Sequence, residues 1–263
     1  MQRITSKENK KIKLLSKLLS SQKERSESGL FVLEGLRLTD DALKSNVKVK
    51  EVFLTEDFLP KFNEKLSPLL DDTCEIYIID DFILPKITDT KTPQGIVALA
   101  EGKIAVSELP SSMSKGSLLL SNLQDPGNLG TIIRSAAAFG LSAVILTGSC
   151  PSVTSPKVLR ASMGGVFKLP IISFNDDFEA LAALKERNIP TYAAFLDKEA
   201  INADDISLNG ACVAIGNEGN GLNEDFAKSC DNKIIIPIDE NSESLNASVA
   251  GSIFAWEIKR AGN

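Results

Sequence analysis

Short apolar strands alternating with amphipathic helices put this chain in the α/β class, with a parallel sheet in its second half and a smaller α/β domain ahead of it. Three observations carry that reading. From Leu118 onward "LLLSNL", "LGTIIRSAAAF" and "SAVILTG" run strand, helix, strand, with a "DPGN" turn before the helix and Gly140 closing it, which is a βαβ unit. The alternation then continues to the end of the chain. Between residues 101 and 117, "EGKIAVSELPSSMSKGS" is rich in Ser, Pro and Gly and reads as a linker, dividing the chain near Leu109 into domains at 1–108 and 109–263.

In order, a basic helix is expected at roughly 7–22, where "IKLLSKLLSSQ" sets leucines at helical spacing. Strand "GLFVLEG", helix "LRLTDDALKS" and strand "VKEVFLTE" follow, and strands "CEIYIID" and "QGIVALA" complete the first domain. After the βαβ unit come a helix around "SPKVLRASMG", strand "KLPIIS", helix "DDFEALAALKERN", strands "PTYAAFL", "ACVAIG" and "KIIIPI", and a final helix "LNASVAGSIFAWEIKR". Strands with flanking helices are parallel. There is no internal repeat and no low-complexity tract.

Composition excludes several classes of function. Hydrophobic residues make up 43% and charged residues 24%, ordinary for a soluble globular chain. The longest apolar runs fall short of a bilayer span and the basic start lacks a signal-peptide core, so a cytoplasmic address is expected. Histidine is absent, which removes a Ser-His-Asp triad, an imidazole base and histidine metal ligands. Cys74, Cys150, Cys212 and Cys230 lie 76, 62 and 18 positions apart; without a CxxC pair they read as buried or incidental thiols, and no metal is expected. Chemistry then falls to Arg, Lys, Asp, Glu, Ser, Asn or the backbone. Net charge is −6, but residues 1–25 hold eight Lys or Arg against two acids, leaving −12 on the other 238 residues. That asymmetry suggests a nucleic-acid-facing N-terminus, while the leucine spacing also describes a solvated amphipathic helix. Leucines inward and lysines toward phosphate satisfy both.

Three segments follow predicted strands at their C-terminal ends, where open α/β sheets bind ligands. In the first, Pro126, Gly127 and Asn128 make a tight turn at a helix start, and Arg134 follows six residues after Asn128 among core-like Ile132, Ile133, Ala136, Ala137 and Ala138. Its guanidinium either snorkels to solvent or is paired in a cleft. The second, "AIGNEGNGL", is GxxGxG by spacing, neither the dinucleotide fingerprint nor a P-loop; its unusual member is Glu218. In the third, "IIIPIDENSESLNASVAGSIFAWEIKR", Ser244 and Asn246 stand at a helix start as capping residues do, and Ala247, Ala250 and Gly251 form a small-residue face suited to close packing, within the chain or against a second subunit.

Together and in this order, "NLQDPGNLGTIIRSAAAFG", "AIGNEGNGL" and "IPIDENSESLNASVA" resemble the three signature motifs of the SpoU-type RNA ribose methyltransferases of the SPOUT superfamily. "KVLRASMGGVFKLPI" is similar to their connecting segment, and "GLFVLEGLRLTDDAL" with "TPQGIVALA" is similar to the ribosomal-protein-like recognition domain of members that act on ribosomal RNA. The resemblance covers nearly the whole chain. It implies a catalytic domain with a deep trefoil knot. It implies S-adenosylmethionine held by the knot loops, through Thr147, Gly148, Gly216, Asn217, Gly219, Ile236 and Leu245. It implies a homodimer with its active site across the interface, which would give the small-residue face of the last helix a reason. Arg134 matches the family's essential arginine, Asn128 its motif-one asparagine, Glu218 its motif-two glutamate, and Ser244 and Asn246 its motif-three pair; Ala247 stands where valine is common. Lys7, Lys10, Lys11, Arg25, Glu34 and Arg37, with the "TPQG" turn, would dock structured RNA, ribosomal ahead of transfer RNA. The rivals are a non-catalytic RNA binder and a nicotinamide-dependent oxidoreductase; the missing GxGxxG speaks against the latter.

Methyl transfer to a ribose hydroxyl needs the oxygen oriented, its proton removed and the developing charge stabilised. Without histidine, Arg134 is the expected residue for this work. A guanidinium stays protonated, so Arg134 is expected to clamp the target phosphate and 2'-oxygen. Asn128 and Glu218 would position it, and Ser244 and Asn246 would hold the third loop.

Overall fold

The computed structural model describes residues 1–239, 241 and 244–262. Two compact units emerge, Met1–Lys103 with Ser152–Phe167, and Ile104–Pro151 with Lys168–Asn263. The units therefore do not follow a single cut in the sequence.

In the first unit β1 (Gln2–Ile4), α1 (Lys10–Ser20), α2 (Gln22–Ser28), β2 (Leu30–Glu34), α3 (Leu36–Lys44), β3 (Lys48–Leu54), α4 (Leu59–Lys65), β4 (Glu75–Ile79), α5 (Leu84–Ile87) and β5 (Ile96–Glu101) follow one another. The sheet order is β1-β4-β3-β5-β2, parallel from β1 through β3 and antiparallel at β5. The basic region expected as one helix forms two. Asn9 caps α1 by accepting from the Lys11 N–H at 2.9 Å, and Ser21, in extended conformation, ends α1 and caps α2 by accepting from the Glu24 N–H at 3.2 Å. A serine that bonds the N–H three residues on starts a new helix instead of continuing the old one. Ile12, Leu15 and Leu18 share one face of α1 and are buried with Val32, Phe53 and Val97. Each such side chain contributes roughly 1.5–3 kcal/mol of transfer free energy, as an upper figure.

The second unit opens with β6 (Ala105–Val106), β7 (Ser117–Ser121), α6 (Pro126–Phe139) and β8 (Ala143–Thr147). The chain after β8 contributes α7 (Pro156–Ser162) to the first unit, then returns as β9 (Ile171–Phe174), α8 (Asp177–Glu186), β10 (Thr191–Ala194), β11 (Ile201–Asn202), β12 (Cys212–Ile215), α9 (Glu224–Ser229), β13 (Asn232–Ile235) and α10 (Ala247–Ala261). All eight strands are parallel, in the order β11-β13-β10-β12-β7-β8-β9-β6. β7 and β8 are buried at every position, as a sheet covered on both faces requires. Progression reverses between β7 and β12, so the loops after these strands diverge at a switch point where such sheets bind ligands. Cys212 is fully buried and its thiol is pushed up to about 12 by burial, in keeping with an inert core thiol.

One expectation is corrected and one open alternative is decided. The segment read as a linker contains β6, which pairs with β9. The small-residue face of α10 packs inside its own unit: a Cβ on Gly251 would lie 2.9 Å from Ile132 of α6, and Ser135 and Ser252 share a 2.7 Å hydrogen bond. The outward face of α10 instead carries Val249, Ile253 and Trp256, of which Val249 and Trp256 are exposed.

Candidate functional site

At the C-terminal edge of the parallel sheet a cleft of about 560 Å³ opens between the loops after β10, β12 and β13 and the start of α10. Phe195, Leu196, Ile236, Ile238 and Leu245 give it apolar lining, Gly216 to Gly219 contribute the glycine loop, and Ser244, Asn246 and Ala250 line it around the start of α10. Gly216 is dictated by its own loop. A Cβ there would sit 2.1 Å from the Gly221 carbonyl carbon, because the chain doubles back through paired Asn217 and Gly221 backbone bonds at 3.2 and 2.9 Å. The Asn217 side chain stiffens the turn, accepting from the N–H groups of Gly219 (2.8 Å) and Asn220 (3.2 Å) and donating to the Asn122 carbonyl at 2.8 Å.

Glu218 ties the first and second loops. Its carboxylate accepts from the N–H groups of Gln124 (3.1 Å) and Asp125 (3.3 Å) and from Asn128 Nδ2 (2.9 Å). Partial burial pushes its pKa up, but the hydrogen bonds from Asn128, Gln124 and Asp125 outweigh this and leave it below the usual carboxylate value. Asp125 caps α6 by accepting from the Asn128 N–H at 2.9 Å. The side chain of Asn128 is thus directed at Glu218 while its backbone is fixed by the cap.

The other expected site residues separate into two groups. Gly216, Asn217, Gly219, Ile236, Leu245, Ser244 and Asn246 line the cleft with Glu218. Asn246 also caps α10, accepting from the Ser248 N–H at 2.9 Å and the Ser248 hydroxyl at 2.6 Å. Thr147 and Gly148 do not line it. Thr147 is buried, with its hydroxyl donated to Asp177 and the Leu120 carbonyl. Gly148 has φ +59 and no room for a Cβ, which would lie 2.3 Å from Asn122 Oδ1. Both buttress the first loop: Asn122, itself at φ 52, accepts from the Ser149 N–H at 3.0 Å and receives Asn217 on its carbonyl. Arg134 is exposed on α6, lies outside the cleft lining, and makes no hydrogen bond or ion pair among the described residues. Phe195, Leu196, Asn122 and Asp177 went unread in the sequence. A leucine 82% exposed after β10 has no periodic signal to announce it.

The residues expected to face RNA are distributed differently from the sequence count. Arg25 is buried and donates to the carbonyls of Leu18 (2.6 Å) and Leu19 (3.4 Å), closing the end of α1; burial lowers its pKa. This corrects its reading as an RNA contact. Lys11 pairs with Glu51 (2.5 Å) and Glu75 (3.1 Å) and lies over the Tyr77 ring. Burial opposes its charge, but its hydrogen bonds to Glu51, Tyr77 and Glu75 raise its pKa. Arg3, Lys13, Lys17 and Lys23 have acidic partners as well. Lys7, over the Phe82 ring, and Lys10 have no ion pair among the described residues. Glu34 is a loop pin, accepting from the Asp89 N–H at 2.8 Å and from the Thr90 hydroxyl. Arg37 projects to solvent, its Nε 4.0 Å from Asp41.

Residues 116–256 match the SpoU rRNA Methylase family and residues 9–98 the MRM3-like substrate binding domain. The chain is 30% identical to the 23S rRNA (guanosine(2553)-2'-O)-methyltransferase RlmP of Bacillus subtilis (strain 168), over 98% of this chain and 100% of the relative. It is 30% identical to the mitochondrial rRNA methyltransferase 3 of Homo sapiens, over 92% of this chain and 70% of that protein. Among solved structures, an RNA 2'-O ribose methyltransferase superposes with TM-score 0.84 at 30% identity over 99% of both chains. The AdoMet-bound rRNA methyltransferase from Sinorhizobium meliloti superposes with TM-score 0.86 at 27% identity over 98% and 97%. With its three loops gathered in the same order at the edge of a parallel sheet, the chain belongs to the SpoU rRNA methylase family.

Proposed function

We infer that this protein is a methyltransferase that uses S-adenosylmethionine to methylate a ribose 2'-hydroxyl of ribosomal RNA. The observation that carries the reading is the Glu218 hub, which locks the loop of Asn128 to the glycine loop beside an apolar cleft. The cleft fits the cofactor. Its 560 Å³ lies within the range of about 300–1,000 Å³ for small-ligand sites, isoleucine and leucine side chains offer faces to adenine, and the glycine loop brings backbone groups close. When bound, S-adenosylmethionine supplies a methyl group already activated on a sulfonium. Gly216, Asn217, Gly219, Ile236 and Leu245 would hold it.

Arg134 would orient the target phosphate and 2'-oxygen and stabilise the alkoxide as its proton departs to solvent or phosphate, a role suited to a permanently charged donor fork. We propose that it does so in a homodimer. Its exposure outside the cleft of its own chain, and the outward apolar residues Val249 and Trp256 on the neighbouring α10, support that reading. The knotted passage is proposed on the position of β13, which lies between β11 and β10 and precedes the helix that returns to α6.

The test is tritium transfer from labelled S-adenosylmethionine to RNA from cells lacking this gene. Label in ribosomal RNA, recovered as an alkali-resistant dinucleotide, is expected. Arg134→Ala should reduce it by roughly 10²–10³-fold or more while heat stabilisation by S-adenosylmethionine persists. Equal collapse of cofactor binding would make Arg134 a structural residue.

A further inference from the structure

We propose that the first unit carries a second nucleotide site, a notch that receives one unpaired base of the RNA other than the methylated nucleotide. The proposal rests on the reading of the chain as an rRNA methyltransferase and names how it selects its substrate. The notch is a cavity of about 250 Å³ between the start of α3, the loop at residues 90–94 and α7. That is below the range of about 300–1,000 Å³ for whole small-ligand sites, and suits a single planar base.

Its chemistry has three parts. Leu38, Leu159 and Met163 present apolar surface for the face of a base. Gln94 presents an edge: its Oε1 accepts from the Leu36 N–H at 3.1 Å, which fixes the amide and leaves Nε2 to donate. Gly35, at φ +92, allows this approach, since a Cβ there would stand 3.0 Å from Oε1. At the rim, the Arg37 side chain is 70% exposed with only a 4.0 Å approach to Asp41, and Arg160 is 42% exposed and paired with Asp89 at 2.8 Å. Two guanidiniums beside an apolar slot with a fixed amide suit the phosphates and base of an everted nucleotide. Glu34 does not compete for the base, because its carboxylate is occupied by the Asp89 N–H and the Thr90 hydroxyl. The inference gives a role to "KVLRASMGG": α7 lies in the methylase half of the sequence but builds, through Leu159, Arg160 and Met163, a wall of the recognition unit. Sequence-selective RNA recognition targets unpaired, splayed bases of this kind.

The experiment uses the full chain with two probes, unmodified 23S rRNA made by transcription and a fully paired RNA duplex. Leu38→Trp, which fills the notch, should raise the KM for 23S rRNA about tenfold, the scale of one stacked base. Its kcat at saturating RNA, its duplex affinity and its heat stabilisation by S-adenosylmethionine should stay as in the wild type. Should Leu38→Trp lose that stabilisation, the exposed pair Arg37→Ala and Arg160→Ala decides by the same KM. Independently, 4-thiouridine-substituted 23S rRNA should cross-link to peptides containing Gln94 or Met163 of the wild type. An unchanged KM, a parallel loss of duplex affinity, or cross-links that avoid both peptides overturns the notch. Absence of methyl transfer to any RNA overturns the enzymatic reading instead, and leaves the cross-link to judge the notch.

Discussion

At Glu218 one carboxylate accepts two backbone N–H groups and an amide, and it accepts them most strongly while ionised. Its folded pKa is depressed, so its contribution is fully present above the unfolded value of about 4.3 and is lost as pH falls through the folded value. Glu218→Gln, with a single carbonyl acceptor, should lower kcat/KM by roughly ten- to hundredfold. It should also flatten the acid limb of S-adenosylmethionine binding, measured by calorimetry from neutral pH downward; an unchanged limb would show that another group titrates there. The two cations of the N-terminal region that sequence treats alike should part company. Arg25→Met removes the donor that closes α1 and is expected to lower stability by about 1–3 kcal/mol without altering the salt dependence of RNA binding. Lys10→Ala should leave thermal unfolding unchanged and reduce the log–log salt slope by about 1. The two readouts together separate a structural cation from a phosphate contact.

At the scale of elements the glycine loop is the most constrained piece. Gly216→Ala would drive a Cβ to within 2.1–2.4 Å of the Gly221 and Leu222 backbone. Since backbone cannot give way as a side chain can, the loop must open. We expect S-adenosylmethionine affinity to fall by at least tenfold, about 1.4 kcal/mol, with a smaller change in thermal unfolding, both read from one titration series; intact affinity would mean the loop is not part of the cofactor site. This loop was legible in the sequence as a glycine cluster after an apolar strand, and its helices and core strands were legible from their periods. Six short elements, β1, α4, α5, β6, β11 and α9, were not, because two or three apolar positions set no period. The charge of residues 1–25 was counted correctly but its partners were invisible: Glu51, Glu56, Glu75 and Asp80 lie 40 or more positions away from the cations they meet. Thr147 and Gly148 follow a strand end, as ligand-binding residues do, yet Asp177 and Asn122 claim the space around them. Strand-end position marks where a site can be, and packing decides which strand ends are used.

For the whole molecule, under the function proposed above, the arginine and the cleft serve one reaction, and Arg134 lies outside the lining of its own chain's cleft. Arg134 is exposed on α6, while the cleft is lined from β10, β12, β13 and α10. Val249 and Trp256 of α10, 46% and 49% exposed, border an open apolar groove that α6 helps to line through Thr131, Ser135 and Phe139, with the Trp256 ring 5.4 Å from that of Phe139, and such exposed apolar residues along one helix call for a partner surface. If a second copy covers them with two-fold symmetry, each Arg134 serves the cleft of the other chain, and two defective chains should repair one another. Arg134→Ala keeps a sound cleft but offers no arginine; Ala250→Trp fills the cleft of its own chain but keeps Arg134. Each variant alone should transfer almost no label to 23S rRNA. Mixed after mild dissociation, random pairing gives about half heterodimers, each with one complete site, so activity should return to about a quarter of the wild-type value. Trp256→Glu on either chain should abolish the recovery and shift the species to monomer in sedimentation velocity. Mixing that restores nothing, with heterodimers demonstrably formed, would place Arg134 at the cleft of its own chain and require α6 to move on RNA binding.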